Sequence, residues 1–119
     1  MIKREDVISG VTCREDSTVL EIAKLLRDGK KHHVFVLDFS DKPVGIVSTV
    51  DITTRVVAEN KNPSTLKASD IMTRNVKVAQ IDESYAKAYA LMIDLGTYSI
   101  PIVDKDGKLI GVLDYAKEK

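Results

Sequence analysis

SIPIVDKDGKLIGVL, Ser99 to Leu113, decides the fold of this chain. Two runs rich in Ile and Val stand on either side of DKDGK. Branched side chains sit well on a pleated, half-buried surface and less well in a helix, so each run predicts a strand. Asp106-Gly107 between them supplies the residues a tight connection needs, so the strands pair as a hairpin. Sixty-six residues earlier the pattern recurs: VFVLD at 34–38 lies over IPIVD at 100–104, and VGIV at 44–47 over IGVL at 110–113. The same shift superimposes the chain without a gap from Asp16 to Gly45, pairing Asp16 with Asp82, Leu25 with Leu91, Asp28 with Asp94 and Gly45 with Gly111. A repeat at fixed spacing means one supersecondary unit built twice.

Upstream of each hairpin runs an amphipathic helix. Val19, Ile22, Ala23, Leu25 and Leu26 recur at intervals of three and four, as do Ala88, Leu91, Met92 and Leu95. Asp16 or Ser17, and Asp82, are expected to cap these helices, and Gly29 and Gly96 to end them. Short strands are expected before them, at Val11–Cys13 and Val76–Val78. A further helix is expected from Val50 to Asn60, followed by the turn and linker NKNPST; its counterpart in the second half is a stub within 114–119. Each half, residues 1–66 and 67–119, thus reads β-α-β-β-α, and the class is mixed α/β (α+β).

Composition narrows the function. At 119 residues and 44% hydrophobic, the chain suits a compact fold with a modest core and does not read as disordered. Eighteen basic and 18 acidic residues cancel, so no overall field draws in nucleic acid. Cys13 is the one cysteine, which excludes an intrachain disulfide and fits a reducing cytoplasm. MIKREDVISG at the start has no apolar core of a signal peptide, and no apolar run approaches the roughly 18 residues of a membrane span. A soluble, cytoplasmic chain without a membrane partner is the expectation. A Gly-rich phosphate loop, a paired acid and base and a Cys/His cluster are all lacking, so neither an enzyme, nor a metal site, nor a required cofactor is expected. Cys13 reads as a small buried hydrophobe.

LKASDIMTRNVKVAQIDESYAKAYALMIDLGTYSIPIVDKDGKLIGVL resembles a repeat of the CBS domain family, with SDIMT, the ALMIDLG helix end, SIPIVD and KLIGVL in family order and spacing. The first repeat departs from the pattern at Phe35, where proline is usual, and at Lys30, where glycine is frequent. The resemblance covers nearly the whole chain. It implies a tandem pair packed about a pseudo-twofold axis, with clefts that take adenosine-containing ligands: AMP, ADP, ATP, NAD or S-adenosylmethionine. It also implies a module that regulates a partner protein and assembles as a homodimer. A dimerisation scaffold without ligand is the alternative.

GIVSTVDITTRV, Gly45 to Val56, holds the candidate site. Ser48 and Asp51, three residues apart before a helix, form the pattern of a capping box. The same groups suit a ligand: a carboxylate can accept two hydrogen bonds from a ribose diol, and a hydroxyl with free helix N–H groups can meet a phosphate. By the resemblance Ser48 and Asp51 are the phosphate and ribose contacts, with Thr49 beside them. His32-His33 is a poor metal clamp, since neighbours on a strand point apart. In relatives, basic residues at this place reach phosphate, which makes His33 and His32 phosphate candidates. Val76, Val78 and Ala88, at the opening of the second repeat, are candidates for the adenine pocket. The second site is altered: Asp114 replaces Ser48 and Lys117 replaces Asp51, so one good nucleotide site per chain is expected, with AMP or ATP as regulatory ligand.

Overall fold

The structure, a computed structural model, describes residues 1–114; the stub helix expected at the C-terminus lies outside the described residues. Strands β1 (Thr12–Arg14), β2 (His33–Leu37), β3 (Pro43–Ser48) and β4 (Thr73–Arg74) form one sheet in that order. Strands β5 (Ala79–Gln80), β6 (Ser99–Val103) and β7 (Leu109–Asp114) form a second. β1 and β2 are parallel and joined by helix α1 (Val19–Gly29); β5 and β6 are parallel and joined by α4 (Tyr85–Leu95). β6 and β7 pair antiparallel, Ser99 opposite Asp114, as the hairpin reading requires. Two more α-helices are short, α2 (Thr49–Ile52) and α3 (Ala68–Ile71), and a 3-10 turn stands at Arg4–Asp6.

Several expected boundaries move. The opening strands lie at Thr12–Arg14 and Ala79–Gln80, one residue and three residues later than expected. The caps are Thr18, whose Oγ1 accepts from the Glu21 N–H at 3.1 Å, and Ser84, whose Oγ accepts from the Lys87 N–H at 3.2 Å. A cap must stand immediately before the first helical residue to reach that donor. Ser17 accepts instead from the Arg14 N–H at 3.0 Å, and Asp82 sits in a turn at φ 74°. α1 reaches Gly29 and ends on Lys30, which adopts the left-handed conformation at φ 53°; Gly96 ends α4 at φ 65°. These two positions are 66 residues apart, so one geometry is met by lysine in one repeat and glycine in the other.

The helix expected to run from Val50 to Asn60 is shorter and changes pitch. α2 gives way to a π-helical turn, Thr53–Val57, closed by Ala58 N–H to Thr53 O at 2.9 Å. Thr53 and Thr54 donate their hydroxyls to the carbonyls of Thr49 and Val50 at 2.9 and 2.8 Å, competing for the acceptors of a regular α-helix. The wider turn accompanies the insertion of Val56 into the core at 1% exposure.

As compact bodies the chain divides differently from its sequence halves. One unit comprises Val11–Ser40 and Val44–Val76. Its core holds Val19, Ile22, Val34, Val36, Val47 and Val56. The other comprises Met1–Gly10, Asp41–Pro43 and the chain from Lys77 onward, around Ile2, Ala88, Met92, Ile100, Ile102 and Leu113. The stretch ahead of each repeat's first strand therefore closes the sheet of the other repeat. Ala68 N–H donates to Ser17 O at 2.8 Å; 66 residues away on each side, Ile2 N–H donates to Glu83 O at 2.7 Å. β4 lies antiparallel against β3, Gly45 opposite Arg74, and Ile8 bridges Val112 in the same way. Glycine on the receiving strand makes room: a Cβ on Gly45 would stand 2.5 Å from Met72 Sδ, and one on Gly111 2.5 Å from the Ile8 carbonyl oxygen.

Candidate functional site

β3 delivers its last residue, Ser48, to the start of α2. Ser48 N–H donates to Asp51 Oδ2 at 2.8 Å, and Asp51 N–H donates to Ser48 Oγ at 3.1 Å. This is a reciprocated capping box, which satisfies two backbone donors the helix start would otherwise leave open. The second oxygen, Asp51 Oδ1, lies 3.8 Å from Arg55 Nε, one turn on. Arg55 itself is anchored by Nη1 to the Ile71 carbonyl at 2.8 Å. Asp51 is only 14% exposed, so the carboxylate is shielded, and among the described residues the ion-pair partner of Oδ1 is Arg55, at long range. Arg55 was legible as the i+4 partner of an acid, a spacing that places both on one helix face, but it was not singled out.

His33 opens β2 beside this group. Burial holds its imidazole below the ordinary pKa, the His32 charge adds to that, and the Asp51 carboxylate opposes both. His33 is thus close enough to Asp51 to feel its charge. His32 is exposed, and its carbonyl accepts from the Thr49 N–H at 3.0 Å, tying the start of β2 to the start of α2. Both His32 and Thr49 line a groove of about 540 Å³ between α1 and α2, whose lining includes neither Asp51 nor His33. The structure therefore parts the five candidates: Ser48, Asp51 and His33 form one cluster, and His32 with Thr49 opens onto another surface. His32 lies just ahead of β2 and Thr49 opens α2, so both sit outside the strand ends that carry His33 and Ser48.

Val76 is partly buried in the same unit as Asp51, whereas Val78 and Ala88 belong to the other unit. Ala88 is fully buried, packed in the core with Met92 and Ile100. Asp114, the counterpart of Ser48, ends β7 opposite Ser99; Lys117 lies outside the described residues. Among the described residues, no group of three or more His, Cys, Asp and Glu is placed to hold a metal ion, and no helix is long and apolar enough to cross a membrane.

Two small sheet-and-helix units built on one repeated pattern define an architecture, and comparison gives it a family. The CBS domain pattern matches residues 2–58 and 68–116. The chain belongs to the CBS domain family, as a tandem pair. An uncharacterised protein of Methanopyrus kandleri is 37% identical over 112 residues, 94% of this chain and 56% of that protein. A homoserine O-acetyltransferase of Methanococcus vannielii is 29% identical over 102 residues, 86% of this chain but 20% of the enzyme. The chain thus spans about half, or less, of these curated relatives. Among solved structures, a CBS domain protein of Pyrobaculum aerophilum complexed with AMP superimposes with a TM-score of 0.83 at 23% identity, covering 98% of this chain and 88% of that one. The CBS domain pair of protein MJ0100, in complex with 5′-methylthioadenosine and S-adenosyl-L-methionine, gives 0.81 at 25% identity, covering 99% and 92%.

Proposed function

We propose that the chain is a two-repeat regulatory module, residues 1–66 and 67–119, that takes an adenosine-containing ligand and modulates a partner protein in the cytoplasm without catalysing a reaction. The observation that carries this reading is the Ser48–Asp51 cluster. Its backbone donors are satisfied through Asp51 Oδ2 and Ser48 Oγ, and among the described residues the ion-pair partner of Oδ1 is Arg55 at 3.8 Å, leaving acceptor capacity for a ribose hydroxyl. Relatives that carry AMP, or methylthioadenosine with S-adenosylmethionine, support the ligand class. AMP or ATP is the first choice here, with phosphate directed to Ser48 and His33, and adenine toward Val76, Val78 and Ala88. His32 and Thr49 join only if the phosphate chain reaches their groove. Two copies of the chain pair. A ligand shifts such a module only through different affinities for its conformations.

A scaffold without ligand is favoured by one observation: the cap already uses Ser48 and Asp51 fully enough to explain their presence. Calorimetric titration of wild type and Asp51→Asn with AMP, ATP, NAD and S-adenosylmethionine separates the readings. A ribose contact predicts a ten- to hundredfold weaker dissociation constant in the variant, from the roughly 1.5–3 kcal/mol of a hydrogen bond to a charged group. Loss of stability in the absence of ligand stays at about 1 kcal/mol or less, because asparagine also serves a cap. About one site per chain is expected. No binding by wild type to any of the four gives the chain to the scaffold.

A further inference from the structure

Arg55 stands between the Ser48–Asp51 cluster and the segment that closes its sheet. Nε faces Asp51 Oδ1 at 3.8 Å, and Nη1 donates to the Ile71 carbonyl at 2.8 Å. The second contact joins residues 16 apart in the chain, so helix geometry alone does not produce it. Ile71 ends α3, and two residues on the chain enters β4, which pairs with Gly45 and Ile46 of β3. β3 carries Ser48 as its last residue. One guanidinium therefore ties the helix that presents the carboxylate to the segment laid against the strand that leads into that helix. All of these residues lie in one compact unit.

Two further features single out this arginine. It lies inside the π-helical turn Thr53–Val57, a kind of mid-helix irregularity that recurs at functional sites. It also borders a cavity of about 610 Å³, which it lines with Glu59, Lys61, Leu66, Asp70 and Ile71. Two of these are acids, so the half-exposed guanidinium has two kinds of partner within its unit: Asp51 with the Ile71 carbonyl, or the acids of the cavity. A planar guanidinium carries separate donors and can hold two partners at once, whereas an ammonium is a single point of charge. The charge of Asp51 is shielded from water and therefore screened less by salt than that of a surface carboxylate.

We propose that Arg55 is the coupling residue of the Asp51 site: negative charge on the Asp51 side holds its guanidinium on the Ile71 carbonyl, and an anionic ligand there tightens the segment Ala68–Arg74. The competing arrangement turns Arg55 toward Glu59 and Asp70 and leaves the Ile71 carbonyl without its donor. A ligand shifts such an equilibrium only by favouring one arrangement, and added negative charge beside Asp51 supplies that difference. Occupancy of the site is then felt at the closing strand β4, some 20 residues along the chain from Asp51. This rests on the ligand reading put forward above and adds where binding is transmitted.

Amide hydrogen exchange on the full chain is the test, read at Ala68 and Met72, whose N–H groups donate to the Ser17 and Ala68 carbonyls at 2.8 Å. Without ligand, Arg55→Met should speed their exchange roughly tenfold or more, as for a lost hydrogen bond from a charged donor. Asp51→Asn keeps a cap but removes the charge, and should speed the same amides about two- to fivefold, as for one ion pair of this kind. Ser48→Ala loosens the same helix start and keeps the charge, so both amides should hold their wild-type rates. Asp51→Asn at wild-type rates, or Ser48→Ala as fast as Asp51→Asn, would overturn the coupling. With AMP bound, as judged by calorimetry, wild type should slow both amides. Arg55→Lys, which keeps the charge but not the two-way grip, should bind AMP within about threefold of wild type yet lose that protection. AMP bound by wild type with no slowing would overturn the transmission while the ligand reading stands. A wild type that binds no AMP would overturn regulation by this nucleotide, and the ligand-free variants decide the Asp51–Arg55–Ile71 link independently of it.

Discussion

At the scale of single residues, two titratable groups report on burial. His33 has its imidazole held below the ordinary pKa of 6.5, mainly by burial. The unfolded chain therefore binds a proton more readily than the folded one. Stability contributed by the neutral ring is complete above the unfolded value near 6.5 and is lost as pH falls from there toward the lower folded value. Urea denaturation at pH 7.5, 6.5 and 5.5 should show wild type losing stability relative to His33→Gln as the solution becomes acidic; a constant difference would remove His33 as the cause. Cys13 is 8% exposed, and burial pushes its thiol up to about 11. At pH 8 only about one thiol in a thousand is thiolate, against roughly a quarter for a free cysteine. Iodoacetamide should therefore label the native chain far more slowly than the urea-unfolded chain. Equal rates would place the thiol at the surface.

At the scale of the element, the ends of α1 and α4 form a natural substitution pair. Lys30 and Gly96 occupy the same left-handed C-cap, at φ 53° and 65°. That conformation strains a side-chain-bearing residue by about 1 kcal/mol, part of which glycine returns as entropy lost on folding. Lys30→Gly should raise stability by up to about 1 kcal/mol, and Gly96→Lys should lower it by a similar amount. The second change meets no atom within 4 Å, so its effect isolates the backbone. Thermal melts of both variants are the check, and opposite signs are the required result. The first strands show a different lesson. Val76–Val78 has the residues of a strand, yet the ladder falls on Ala79–Gln80, because β5 is placed by its parallel register with Ile102 and Val103 rather than by local preference.

At the scale of the whole molecule, each sheet is closed by a stretch from ahead of the other repeat, and glycine marks where it enters. Gly45 and Gly111 stand in the same place, but what their missing Cβ would meet differs. At Gly45 it is the thioether end of Met72, and at Gly111 the backbone carbonyl of Ile8. A flexible side chain gives way more cheaply than a backbone. Gly111→Ala should thus cost more than Gly45→Ala, on the order of 1–3 kcal/mol as for other overpacked sites. Denaturant titration of the two variants gives the comparison, and an equal cost would mean the Ile8 segment yields as readily as a methionine.

The fold was legible because two signals survive without tertiary context. Hydrophobic period separates helix from strand, and the 66-residue repeat supplies each uncertain element with a second copy. Ser48 and Asp51 were legible as a pair for the same reason, since a cap is a local geometry three residues long. His32 and His33 were not separable as ligand candidates until the surroundings of the start of β2 were in place: His33 opens the strand and is partly buried, whereas His32 precedes it and is exposed. Ala88 looked like a pocket residue for its small size, and its burial depends on Ile100 and Ile102, which approach it only when α4 lies on its strands. The closure of each sheet by Ile2–Ile8 and Ala68–Arg74 depends on segments far apart in the chain. Sequence alone determined the local order: period, caps, turns and the number of repeats. Tertiary structure decided which faces are covered, because burial is a property of what other segments bring and not of the residue itself.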